Sequence, residues 1–133
     1  MSVDDRTRAE IAALVETTYL AMSTPGSDVG AIFGSSDISI AGSGVSELFD
    51  GPEIAVAAAT AVSSWGFVWT CESIKVWQRG EVAWAQILGT VLVTRDGVDD
   101  LVPYWTTGVF GRENDDWVWL YWGGSEPQDP ARV

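Results

Sequence analysis

The feature that most constrains this chain is a change of hydrophobic period at Gly66. Before it, apolar residues recur every three or four positions; after it they alternate through four runs, 67–78, 82–94, 101–112 and 117–125. The first spacing places side chains on one stripe of a helix, and the second places them on one face of a strand. The fold class is therefore α+β, with helices first and a long antiparallel sheet after them. The runs are joined by Arg79-Gly80-Glu81, by Arg95 to Asp100 around Gly97, and by Glu113 to Asp116. Connections this short link neighbouring antiparallel strands, which predicts a meander.

In the helical half, Ile11, Leu14, Val15, Thr18, Tyr19 and Met22 predict a helix from about Asp4 to Met22, with Asp4 and Asp5 at its positive end. Ser23-Thr24-Pro25-Gly26 stops it, and Ser27 is placed to cap a short second helix reaching Phe33. Asp37 to Ala41 alternates as a short strand. Beyond the loop Gly42 to Ser46, Asp50, Pro52 and Glu53 read as N-cap, first-turn proline and capping-box acid. The helix they open has the stripe Ile54, Ala57, Ala58, Ala61, Val62 and Trp65. One domain over residues 1–126, followed by a frayed tail at 127–133, accounts for the pattern.

Composition matters mainly for what it excludes. The 133 residues hold 19 acidic and 7 basic side chains and no histidine, for a net charge of −12. Nucleic-acid affinity rests on clustered cations that release counterions, so neither nucleic acid nor an anionic membrane surface is an expected partner. Ile54 to Cys71 is uncharged. It changes at Ser63-Ser64-Trp65-Gly66 from alanine-rich to aromatic, which suits a buried helix followed by a strand rather than a membrane span. Met1 to Glu10 shows no apolar run after a basic start, so a cytoplasmic location is the default. Without histidine, Ser-His-Asp, Cys-His and histidine-metal chemistry are all removed. Cys71, the single cysteine, reads as a small core residue, and Asp99-Asp100 and Asp115-Asp116 read as solvated turns. No cofactor or metal is expected.

The order of helix, short helix, short strand, helix and four long strands resembles the nuclear transport factor 2 superfamily, cystatin-like in fold, and within it the SnoaL-like group. The resemblance spans roughly residues 6 to 126. It is carried by Ala9 to Met22 ending near Asp28, by Phe33 with its strand, and by Asp50-Gly51-Pro52-Glu53 at a helix start. Gly80-Glu81-Val82-Ala83-Trp84, Thr107-Gly108-Val109 and Asp116-Trp117 extend it through the sheet. It implies a cone, with the sheet curled around the helices to leave an apolar cavity open at one end. The outer sheet face of such proteins often mediates dimerisation. The group includes isomerases, cyclases, dehydratases, epoxide hydrolases and binding proteins, so fold does not decide function.

The resemblance places Trp84, Gln86 and Leu88 inward, with Trp105 and Thr107 on the next strand, Trp119 and Tyr121 on the last, and Tyr19 on the first helix. These aromatics either fill the cone or line a pocket for a small apolar molecule. Tyr104, Phe110, Leu120 and Trp122 then lie on the opposite face, an apolar patch suited to a second copy of the chain. For a ketosteroid-isomerase-like reaction the matched positions are Ala41, Thr18 and a site near Thr107, none of which carries the required acid, base or phenol. The arginines stand at strand ends or termini, which disfavours epoxide hydrolysis. Asp37 remains as the general acid or base of a cofactor-independent isomerase, cyclase or dehydratase, against a plainer role capping a turn. A protein-binding module using the tryptophan face is the third expectation.

Overall fold

Asp4 opens the first helix: its side chain accepts a 2.7 Å hydrogen bond from the Thr7 amide. In the computed structural model, which describes residues 3–129, helix α1 spans Asp5–Met22 and a single 3₁₀ turn spans Val29–Ala31. Strands β1 (Ser39–Ala41) and β2 (Leu48–Asp50), helix α2 (Pro52–Ser64), and strands β3 (Val68–Arg79), β4 (Val82–Arg95), β5 (Val98–Glu113) and β6 (Asp116–Ser125) follow. Of the tail expected at 127–133, residues 130–133 lie outside the described residues.

The six strands form one sheet in the order β2-β1-β6-β5-β4-β3. The last four make the predicted antiparallel meander. β1 pairs parallel with β6, placing Ile40 beside Trp122, and antiparallel with β2. β2 corrects the expectation at residues 48–50. The Asp50 carboxylate caps no helix; it accepts from Ser39 Oγ at 2.8 Å, and Gly51, at φ 89°, occupies the N-cap position of α2. The short segment after α1 is likewise capped by Asp28, not Ser27.

The stripe of α2 is also rotated by one position. Ala55, Ala59 and Ser63 are buried, while Ile54 and Trp65 are 54% and 56% exposed. Small side chains on the inner face let this helix lie close to its neighbours.

The larger correction concerns the sheet. On β4 the residues facing the helices are Ala83, Ala85, Ile87, Gly89 and Val91, and on β5 they are Tyr104, Thr106, Gly108 and Phe110. Trp84, Gln86, Leu88, Trp105 and Thr107 therefore face outward, the reverse of the assignment drawn from the resemblance. The physical reason is close packing on the covered side. A Cβ at Gly89 would overlap the Thr70 carbonyl oxygen, and one at Gly108 would stand 2.7 Å from Phe110 and 2.9 Å from Trp119.

On β6 a register shift intervenes, with Phe110 opposite Trp119 but Val109 opposite Tyr121. Leu120 is the extra residue of a β-bulge. It lets Trp117, Trp119 and Trp122 all turn inward, which corrects the expected placement of Trp122 outside and Tyr121 inside.

Candidate functional site

A cavity of about 450 Å³ opens at one end of the cone, within the size range of ligand pockets. Its most buried lining residues are Met22, Phe33, Ala59, Val91, Tyr104 and Trp122. Ala58 and Val62 of α2 form one wall, and Trp69 of β3 stands in another. Around the mouth are Ser43, Glu47, Trp65, Phe67, Arg95, Asp100 and Glu126. All come from segment ends that the topology gathers at one edge: the end of α2, the starts of β3 and β5, the ends of β4 and β6, and the β1–β2 loop.

The opposite end is solid. Trp119 is fully buried, 4.6 Å from Phe110 and 5.9 Å from Phe33 between ring centroids. Its indole N–H donates to Thr18 Oγ1 at 2.9 Å, while that hydroxyl donates to the Leu14 carbonyl at 2.7 Å. Tyr19 and Thr106 share a 2.8 Å hydrogen bond between buried hydroxyls. Thr18 with Trp119 and Tyr19 with Thr106 thus satisfy each other across helix and sheet, whereas the buried indole N–H groups of Trp69 and Trp117 have no hydrogen-bond partner among the described residues.

Where the cavity begins, aromatic rings form a continuous wall. Trp69 meets Tyr104 edge-on at 4.8 Å, and Trp122 lies 5.1 Å from Trp119. Burial pushes the Tyr104 phenol above the ordinary tyrosine range. Hydrogen bonding with Trp122 and Ser43 opposes that shift, and the negative charges of Glu47 and Glu126 add to it. Tyr104 is therefore a neutral phenol in the wall at physiological pH.

Of the expected pocket residues, Tyr19 and Trp119 are buried in the solid core, while Trp84, Gln86, Leu88, Trp105, Thr107 and Tyr121 are on the outer face; none lines the cavity. Tyr104 and Trp122, expected on the dimer face, do line it. Phe110 is fully buried, and Leu120 is the half-buried bulge residue that packs over Gly111. Asp37 is exposed in the turn before β1, with its amide 3.4 Å from Ser35 Oγ, and does not reach the cavity.

Two signals for these placements are present in the sequence. One is the small-residue series Ala83, Ala85, Gly89. The other is the two-then-three spacing of Trp117, Trp119 and Trp122, which marks a bulge. Among the described residues no three histidine, cysteine or carboxylate side chains converge as metal ligands, and no helix is long and apolar enough to cross a membrane.

Helices held in a curled antiparallel sheet, with one end filled and the other open, define a cone-shaped container of the nuclear transport factor 2-like type. The chain belongs to the SnoaL-like domain family, whose model matches residues 11–129. Solved structures share the fold at low identity. A candidate dehydratase of the nuclear transport factor 2-like family from Streptomyces avermitilis superposes with a TM-score of 0.81 at 13% identity, covering 96% of this chain and 100% of that one. A nuclear transport factor 2-like protein of unknown function from Pseudomonas putida gives 0.79 at 18%, covering 98% and 94%. One described as having a cystatin-like fold, from Novosphingobium aromaticivorans, gives 0.71 at 17%, covering 94% and 84%. Among curated proteins no sequence matches the chain.

Proposed function

We propose that this SnoaL-like protein binds a small apolar molecule in the open end of its cone. The carrying observation is the cavity of about 450 Å³, walled by aliphatic and aromatic side chains, with its polar groups at the rim. Pockets of this kind hold a ligand by apolar burial and orient it through a few polar contacts.

Saturable quenching of tryptophan fluorescence by a lipophile library, with native mass spectrometry to give stoichiometry, tests the reading. Ala58→Trp projects a large ring into the space and is expected to abolish binding without unfolding the chain. Retained binding in a folded Ala58→Trp protein would place the ligand elsewhere.

The cavity proposal is joined by a second, that two copies pair through the outer sheet face. Trp84 and Trp105 are 37% and 47% exposed there, with Trp77, Val82 and Leu88 beside them. The outward positions of β3 from Ser73, β4 to Thr90, β5 from Pro103 to Gly111 and β6 from Val118 carry no carboxylate, in a chain with 19 acidic residues. Depletion of charge with enrichment of aromatics is the composition of an interface core.

An enzymatic reading draws on the description of the Streptomyces relative as a candidate dehydratase. Its acid or base would come from Glu47 or Glu126 beside Tyr104, since Asp37 stands outside the cavity. The binding reading is preferred because no carboxylate reaches the buried part of the lining.

A further inference from the structure

The charged lining of the cavity is lopsided. Glu47, Asp100 and Glu126 contribute three carboxylates against one guanidinium, Arg95. None of the three is in an ion pair among the described residues; the four pairs present all use Arg6, Arg8 or Arg112, outside the cavity lining. Glu47 and Glu126 are held in position all the same. Glu47 accepts from the Gly44 amide, and Glu126 accepts from Ser43 Oγ at 2.7 Å, so each carboxylate is fixed at the mouth with its charge uncompensated.

Ring faces line the same cavity, and Tyr104 among them feels the charges of Glu47 and Glu126. Trp65 and Phe67 lie 5.4 Å apart at the rim, and Trp69, Tyr104 and Trp122 continue the wall inward. One ring already receives a cation: the Arg95 guanidinium lies 5.8 Å from the centroid of Phe67 and forms no ion pair with Asp100. Aromatic faces attract cations through their quadrupole, and most strongly where water is partly excluded. A cleft with low-dielectric walls also concentrates the field of the charges at its mouth. A carboxylate ligand would meet that field as repulsion, and an uncharged ligand would gain nothing from it.

Resting on the proposal that the cavity is a binding site, we infer that its ligands are amphiphilic cations: organic ammonium compounds with an apolar body. The body lies against Phe33, Val62 and Trp122, and the ammonium group stands between the rings of Trp69 and Tyr104, 4.8 Å apart, and the carboxylates of Glu47 and Glu126. The same chemistry gives Arg95 a distinct part. It is a resident cation that a bound ammonium displaces from the rings or must tolerate, so it lowers affinity.

Equilibrium dialysis with three probes of one shape tests the inference: naphthylmethyl-trimethylammonium, its uncharged carbon isostere neopentylnaphthalene, and the anion naphthylacetate. The ammonium probe is expected to bind about tenfold more tightly than the isostere, with the anion weakest. Glu126→Gln, which keeps an acceptor oxygen for Ser43, and Asp100→Asn, which touches no loop contact, should each narrow the ammonium-to-isostere ratio severalfold. Arg95→Gln should widen it. Equal affinities for the ammonium and its isostere, unchanged in these variants, would overturn the ammonium assignment and leave the apolar cavity standing. Preferential binding of naphthylacetate, lost in Arg95→Gln, would overturn it in favour of an anion site. Binding of none of the three would overturn the cavity proposal as well.

Discussion

Tyr19 shows how a single side chain fixes both packing and pH response. Its hydroxyl is buried against Thr106, itself 2% exposed, and burial drives the phenol pKa well above the ordinary value, with the Thr106 hydrogen bond opposing only part of the shift. The Tyr104 phenol is raised for the same leading reason. In the unfolded chain both groups ionise near pH 10, while in the folded protein they hold their protons to higher pH. The unfolded state therefore loses protons first as pH rises past that value, and stability falls. Urea unfolding followed by tryptophan fluorescence is expected to give a stability that is insensitive to these groups below about pH 10 and declines above it. Tyr19→Phe should cost about 1–3 kcal/mol at neutral pH, because the Thr106 hydroxyl is left buried without its partner. The same variant should flatten the alkaline decline. An unaltered alkaline slope in Tyr19→Phe would show that this phenol is not the titrating group.

At the scale of elements, periodicity made the framework legible and left the faces hidden. The first helix was readable to within a residue, Asp4 to Met22 against Asp5–Met22, and the strand ends fell within a few residues because glycine and acidic turns punctuate them. The faces were not readable because β4 is apolar on both sides, so alternation specifies two surfaces without saying which one meets the helices. A bulge adds a residue without changing composition, and the one at Leu120 reverses inside and outside for everything after it. The cavity was hidden for a further reason: its lining comes from segment ends far apart in sequence, from Met22 to Glu126, which no local pattern connects.

The bulge in β3 offers the cleanest test of an element held by packing. Cys71 pairs with Gly89 and Ser73 with Leu88, leaving Glu72 as the extra residue, and the bulged backbone presses its Thr70 carbonyl onto Gly89. The obstacle to a side chain there is backbone, which cannot swing away as a rotamer can. Gly89→Ala is expected to destabilise the protein by at least about 2 kcal/mol in urea unfolding. A neutral result would mean that the bulge relaxes at no cost and that Gly89 does not pin it.

The whole molecule poses a problem of charge. Two copies carrying −12 each repel at long range, so they can associate only where acidic side chains are absent and apolar contact is large. The outer sheet face meets both conditions. It also places Lys75 and Arg79, two of the seven basic residues, along β3 beside Trp77 and Trp84, and so brings positive charge to an otherwise acidic surface. Association through this face should strengthen with salt, since ions screen the net repulsion while the apolar contact is unaffected or enhanced. An ion-paired interface would show the reverse. Light scattering coupled to size exclusion is expected to give twice the 14.3 kDa chain mass, with the dimer fraction at low protein concentration rising as salt is raised from about 0.05 to 0.5 M. Trp105→Glu places a carboxylate among the exposed rings and should yield monomer at every salt concentration, with the fold and the cavity at the open end intact. A wild-type monomer throughout, or a dimer that survives Trp105→Glu, would move the contact to another surface and leave the tryptophan face without a partner.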